Sequence, residues 1–259
     1  MVSFIIATYN GEKYLRETVQ SALNQANVDV EIIIIDDGST DNSYEIAQSL
    51  TKFDKRIVSF KNSRNLGFCK TVNKGLKLAK GDYIVILDQD DLLNKNHCQS
   101  SLRLFDENTS LVFNDYYLID SKGKVFNTEP HCIHRDLSLE DFIDGNKIPV
   151  PGLVINRKKI IEVGGYPELD KFPNYGEYHT WIRMSNVGKI KFNECSIALY
   201  RRHEFNMTNS FDNKQIKRDL ARYSLICKRQ MLFSTNIQIR KKYKVLISML
   251  RDYKRIFMA

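Results

Sequence analysis

Long hydrophobic runs are missing from this 259-residue chain. Its longest apolar stretches, such as Ile32–Ile35 and Tyr83–Leu87, have the length of a strand, so no segment reads as a membrane-spanning helix. The opening Met1-Val2-Ser3-Phe4-Ile5-Ile6 has no basic leader and no signal-type cleavage site, which argues against export. Cysteine is sparse and scattered: Cys69, Cys98, Cys132, Cys195 and Cys227 include no CxxC spacing. That speaks against a zinc site or a disulfide framework and fits free thiols in a reducing compartment. Internal repeats and low-complexity linkers are absent as well. Acidic residues are scarce in one region only. From Lys214 onward there are thirteen Lys or Arg against Asp219 and Asp252, a local net charge of +11, within a total of +8. The first 213 residues therefore carry −3, and any argument from basicity to a polyanionic partner concerns the tail alone.

What is present is globular, with 42% apolar and 27% charged residues. A chain of this length buries a full core as one domain, or one domain plus an appendage. Residues 2–7 read as a strand ending at Thr8-Tyr9-Asn10-Gly11, followed by a helix with Leu15, Val19 and Leu23 on one face. Glu31–Ile35 is a second strand and 43–50 a second helix. Arg56–Lys61 is a third strand, and Asn65-Leu66-Gly67 opens a helix through Val72, Leu76 and Ala79. A fourth strand runs into Asp88. This alternation predicts a parallel sheet with helices on both faces, whose ligands bind beyond the carboxyl ends of the strands. Polar clusters at 8–10, 36–41 and 88–91 follow three of those strands directly.

The rest of the chain reads differently. Leu111–Asp120 and Lys124–Thr128 form a predicted hairpin around Ser121-Lys122-Gly123. Residues 130–150 have weak periodicity and read as a lid or binding loop. A strand is expected at 152–156, a helix carrying Trp181 at 174–187, and a strand at 197–200 leading to Arg201-Arg202-His203.

The cluster Asp88-Gln89-Asp90-Asp91 places three carboxylates at a strand mouth, a costly arrangement unless a cation lies among them. Hard oxygen ligands suit Mg²⁺ or Mn²⁺, and a metal there would hold an anion such as a diphosphate. Asp88 and Asp90 alternate and so point the same way, whereas Asp91 fits a solvated helix start. Asp37 is either part of a turn and cap or an acceptor for a base N–H or ribose O–H. Tyr9 belongs to a plain turn or stacks on a nucleobase. Glu177 is an ordinary first-turn acid or a general base. His203 is a surface residue or a contact to metal or phosphate, and Arg201 and Arg202 pair with phosphate or are solvated. In the tail, Tyr243, Ile247, Leu250, Tyr253 and Phe257 form an amphipathic stripe with Lys and Arg around it. It either packs on protein, its own domain or a second subunit, or docks on an anionic bilayer.

Together these residues resemble the family 2 glycosyltransferases with the GT-A fold. The resemblance rests on Ser3–Asn10, Ile35–Asp41, Asn65-Leu66-Gly67, Lys80-Gly81-Asp82-Tyr83 and Leu87–Asp91, in the family's order and spacing. It continues more loosely through Gly164-Gly165-Tyr166, Glu177–Arg183 and Tyr200–His203. It implies an α/β GT-A fold, a Rossmann-like mostly parallel sheet flanked by helices, with a basic helical C-terminal tail. The implied organisation is a glycosyltransferase domain over 1–212, with a nucleotide-binding half (1–110) and an acceptor-binding half (111–212), and a tail over 213–259.

The implied activity is metal-dependent, inverting transfer of a sugar from a UDP- or dTDP-sugar to an acceptor hydroxyl in surface-polysaccharide assembly. Glu177 is the implied catalytic base. It departs from the family, where a Glu-Asp pair stands in place of Gly176-Glu177. Donor-binding residues are Thr8, Tyr9, Asn10, Asp37, Asn65, Lys70 and Asp88; Lys70 stands in for a basic residue the family often has where this chain has Val72. Asp90, Asp88 and His203 are the candidates to hold Mn²⁺ or Mg²⁺. The expected partners are a nucleotide-sugar donor and a saccharide or lipid-linked saccharide acceptor, with no nucleic acid. A homo-oligomer and an anionic membrane surface met by 213–259 stay open, as does a location in the cytoplasm or on the inner face of the plasma membrane. Two rivals remain: a sugar-phosphate nucleotidyltransferase, although no glycine-rich basic loop follows the first strand, and a non-enzymatic nucleic-acid binder acting through the tail.

Overall fold

The structure, a computed structural model, describes residues 1–149, 151–170, 172, 174–206, 213–234 and 239–258. Its first half alternates strand and helix: β1 (Val2–Thr8), α1 (Leu15–Leu23), β2 (Val30–Asp36), α2 (Ser43–Phe53), β3 (Ile57–Lys61), α3 (Phe68–Leu78) and β4 (Tyr83–Ile86). The strand interiors are apolar on both faces because helices cover both. Phe4 and Ile6 of β1, with Ile32 and Ile34 of β2, pack against Leu15, Val19 and Ala47 of α1 and α2. The intervening Ile5, Ile33 and Ile35 pack on the other side against Val72 and Leu76 of α3. The two-residue strand period thus splits one isoleucine-rich sequence between two cores.

Beyond β4 come β5 (Leu92–Leu93), α4 (His97–Leu102), β6 (Thr109–Ile119) and β7 (Val125–Asn127). A 3-10 turn, η1 (Leu139–Asp144), is followed by β8 (Val154–Asn156) and α5 (Arg157–Glu162). Then come α6 (Glu177–Val187), β9 (Lys189–Arg201), α7 (Lys214–Phe233) and α8 (Ile239–Met258). One sheet runs β3-β2-β1-β4-β8-β6-β9-β5, with β7 paired to β6 as the predicted hairpin. The sheet is continuously parallel through β3, β2, β1 and β4. β8 enters antiparallel between β4 and β6, and β9 then pairs parallel to β6. Two reversals restore the direction, so β9 ends on the same side of the sheet as β4.

The structure adds detail to three expectations. The strand expected at 197–200 is the end of a thirteen-residue β9 whose first half was hidden by mixed polarity. The segment 130–150 is partly ordered by η1, where Ser138 and Asp141 form a reciprocal cap and Phe142 is buried. The tail joins the main core, since Tyr223, Cys227, Met231 and Val245 belong to the same apolar cluster as Trp181. Its predicted boundary near Ser210–Lys214 lies partly outside the described residues.

Candidate active site

The loops after β1, β2, β3 and β4 lie side by side and are laced together by side chains. Asn10 adopts a left-handed conformation (φ 52°) and accepts a hydrogen bond from the Thr40 amide (2.9 Å), while its own amide donates to Ser39 (3.0 Å). Gln89, between the two aspartates, accepts from Thr8 Oγ1 (2.6 Å) and the Tyr9 amide (2.9 Å) and donates back to the Tyr9 carbonyl (3.2 Å). This clamp fixes the β4 loop to the β1 loop. Gly11 leaves room for it: a Cβ there would sit 2.2 Å from Gln89 Oε1, and the clamp would have to shift.

The predicted donor residues divide by exposure. Tyr9 is 44% exposed, and Asn10 and Asn65 are exposed. Thr8 is buried under the Gln89 clamp. Asp37 is buried and accepts from the Leu66 amide (2.9 Å), the Gly67 amide (2.9 Å) and Asn62 (2.8 Å), so its carboxylate organises the Asn65-Leu66-Gly67 turn. Lys70 lies at the rim and pairs with Asp170 at 3.1 Å.

The three carboxylates after β4 occupy different environments. Asp91 is fully buried; Oδ1 accepts from the Arg201 amide (2.9 Å), and Oδ2 has no partner. Burial, and then the charges of Asp90 and Asp88, push its carboxyl well above the ordinary range. Asp90 accepts from His203 Nε2 at 2.8 Å, with both side chains mostly buried. Asp88 is half-buried, and desolvation, Asp90 and Glu177 push its carboxyl up to about 8. The Glu177 charge therefore falls on Asp88 across more than eighty residues of sequence.

Glu177 opens α6, and burial pushes its carboxyl up to about 7 against the hydrogen bonds from backbone amides that lower it. The Gly176 that precedes it fits a crowded corner: a Cβ there would lie 2.3 Å from the Tyr166 ring and 2.7 Å from Cys69 Sγ. Tyr166 is itself held by Asn73, whose amide group bonds both the amide and the carbonyl of Tyr166 (2.8 and 2.9 Å).

Arg201 overturns both of its sequence readings. It is buried, neither solvated nor available to phosphate. Its Nε donates to the Asp90 carbonyl (2.8 Å), one terminal nitrogen to Glu17 (2.7 Å) and the other to the Asp120 carbonyl (3.3 Å). Its guanidinium lies over the Tyr14 ring, which in turn packs on His203. Asn206 donates to the Arg201 carbonyl (3.0 Å) and accepts from the His203 amide, closing the turn that aims His203 at Asp90. Sequence reading missed Gln89, Tyr14, Asn73 and Asn206. A side-chain amide within three residues of a candidate ligand was the available signal for Gln89 and Asn206; nothing local marked Tyr14 or Asn73.

A metal fits the β4 mouth on chemical grounds. Two carboxylates whose pKa values burial pushes upward, Asp88 and Asp91, an unpartnered buried Asp91 Oδ2 and a histidine nitrogen on Asp90 make a donor set short of positive charge. A second group, Asp115, Cys132 and His134, brings three donor atoms within 4.8 Å. There Asp115 already accepts from the Tyr116 and His131 amides and from His134 Nε2, so the group reads as a hydrogen-bonded anchor for the loop after β7.

Comparison with known proteins agrees with this architecture. Residues 3–164 match the family described as Glycosyl transferase family 2. An uncharacterized glycosyltransferase of Methanocaldococcus jannaschii is 31% identical over 206 residues, spanning 78% of this chain and 70% of the relative. Among solved structures, Staphylococcus aureus TarS in complex with UDP-GlcNAc superposes with a TM-score of 0.73 at 19% identity, covering 98% of this chain and 72% of that one. A mannosyltransferase of Pyrobaculum calidifontis, in complex with GDP-Man and Mn²⁺, superposes with a TM-score of 0.68 at 14% identity, covering 98% and 71%. The shared fold is that of the GT-A glycosyltransferases.

Proposed function

Since this chain belongs to glycosyl transferase family 2 and is a glycosyltransferase, we propose that it moves a sugar from a UDP- or dTDP-sugar to an acceptor hydroxyl with inversion at the anomeric carbon. The observation that carries the reading is the convergence of Glu177, Asp88 and the Asp90–His203 pair at the carboxyl end of one sheet. Tyr9, exposed at the rim, stacks on the nucleobase, and the turn ordered by Asp37 forms the wall beside it. Asp90, His203 and Asp88 would hold Mn²⁺ or Mg²⁺, which when bound supplies positive charge to the leaving diphosphate. Arg201 is a positioning residue: it fixes the backbone of Asp90 and the carboxylate of Asp91, and so the direction in which Asp90 points.

Glu177 accepts the proton of the acceptor hydroxyl as that oxygen attacks the anomeric carbon. The bond to the diphosphate oxygen breaks in the same displacement, without a covalent enzyme intermediate. A carboxylate of pKa about 7 is well matched to this work near neutral pH. The acceptor is a saccharide or lipid-linked saccharide of a surface polysaccharide.

A thermal-shift series with sugar nucleotides, with and without Mn²⁺, tests the donor reading: stabilisation by a UDP- or dTDP-sugar that requires the metal is expected. Free pyrophosphate released from a nucleoside triphosphate and a sugar phosphate would instead identify a nucleotidyltransferase. The anomeric configuration of the product, read by NMR, tests inversion.

A further inference from the structure

The helix α8 has two apolar faces. Val245 and Ile256, with Ser248 and Asp252, are buried against the body of the protein. The predicted stripe lies on the other side. Tyr243 is 66% exposed, Leu246 48%, Ile247 36%, Leu250 64% and Tyr253 56%. The side chain of Phe257 lies outside the described residues. Single exposed apolar side chains are ordinary, but Tyr243, Ile247, Leu250 and Tyr253, at spacings of four, three and three residues, form one continuous band with Leu246 beside them. The helix packs on its own domain, one of the sequence readings, but through the face opposite the predicted stripe.

We propose that the outward face of α8 docks on an anionic lipid bilayer. Charge supports this occupant. The one acid of α8, Asp252, is buried and ion-paired to Lys228 at 2.6 Å. Every outward charge on the helix is basic: Lys244, Arg251, Lys254 and Arg255 are exposed beside the stripe. Glu140 and Asp144 of η1 take up Lys241 and Arg251. Among the described residues no carboxylate pairs with Lys242, Lys244 or Lys254. Apolar side chains flanked by such lysines match the acyl boundary and the headgroup layer of an anionic membrane. A second copy of the chain fits less well. Stripe-to-stripe contact would set basic flanks together with no outward acid on α8 to relieve them. No helix among the described residues is long and apolar enough to cross a membrane, so attachment through α8 would be at the surface.

The same packing ties α8 to the reaction centre. The Lys228–Asp252 pair joins α8 to α7, and Tyr223 of α7 accepts from the His179 amide in the first turns of α6 (3.3 Å), next to Glu177. A docked α8 would therefore hold Glu177 in a fixed relation to the bilayer, where an acceptor carried on a lipid resides.

Co-sedimentation with vesicles tests the surface without donor or acceptor, so its outcome is separate from that of the transfer reading. The full chain is expected to pellet with phosphatidylglycerol/phosphatidylcholine vesicles and to stay in the supernatant with phosphatidylcholine alone. L246E/L250E should reduce the bound fraction tenfold or more, and K244E/K254E should do so most strongly at low salt. All four positions are exposed, and an unchanged melting temperature confirms folding. Failure of the wild type to bind anionic vesicles, or binding that survives L246E/L250E, overturns the proposal. So does a dimer in light scattering that L246E/L250E converts to monomer, which would assign the face to a second copy.

Discussion

Two regions of this protein bury charge, and they do so in opposite ways. Between α7 and α8, Lys228 meets Asp252 at 2.6 Å and Ser248 at 2.8 Å, so the buried ammonium has its counter-charge and a second acceptor. At the mouth of β4, Asp88, Asp90 and Asp91 crowd together with one histidine and one arginine, and Asp91 Oδ2 has no partner. A closed pair holds two helices in register and asks for nothing further. An open cluster stores unmet electrostatic demand that a cation and a diphosphate can satisfy. The difference separates structural charge from functional charge more clearly than burial does.

The largest effects should fall on the open cluster. D90A is expected to abolish transfer and the metal-dependent part of donor binding, while E177Q lowers transfer roughly 10²–10⁴-fold and leaves donor binding intact. Turnover and thermal shift measured in parallel separate the two; an active E177Q enzyme would remove Glu177 as the base. K228M should cost about 3–5 kcal/mol in urea unfolding, because it strands Asp252, yet leave the donor KM unchanged. If K228M changed donor affinity instead, the division between the regions would fail. R201K retains the charge but not the fork of donors, so it should raise the metal concentration needed for half-maximal activity more than it lowers turnover.

Acidity sharpens the contrast further. Asp88 and Glu177 have folded-state pKa values of about 8 and about 7, above their ordinary values. The folded, metal-free protein therefore holds protons that the unfolded chain has released above about pH 4–5. Their stabilising effect is present below that range and is lost as pH rises through the folded values, so the metal-free melting temperature should fall from pH 5 to pH 8. D88N should flatten that decline. Transfer should rise with pH through about 7 as Glu177 ionises. The smallest effect belongs to the clamp: Q89A should cost about 1 kcal/mol of stability and weaken donor binding a few-fold, read by calorimetry.

Much of this site is legible in the sequence. The order of β1 to β4, the polar loops behind them and the candidate metal pair follow from hydrophobic period and turn residues, which act over a few positions. Arg201 was not legible: its partners Glu17, Asp90 and Asp120 come from three distant segments. Asp37, a donor-binding candidate by resemblance, also holds the 65–67 turn through its carboxylate, a task that depends on partners some thirty residues away. The tail's period correctly marked a helix, and its two-faced character emerged only when Val245 and Asp252 claimed the inner side.

The sequence by itself determined the alternating strands and helices, the position of the acids at a strand mouth and the confinement of basic charge to the tail. These depend on side-chain period and local turn chemistry. Tertiary structure alone decided which carboxylate lies open, which is buried and which pairs with His203. It also decided which face of α8 meets solvent. Those outcomes depend on the end of β9 meeting the loop after β4, on α7 closing over α6 and on α8 packing on α7 and η1, contacts between residues more than a hundred positions apart for β9 and some fifty apart for α6 and α7, whose desolvation and hydrogen bonding no local pattern encodes.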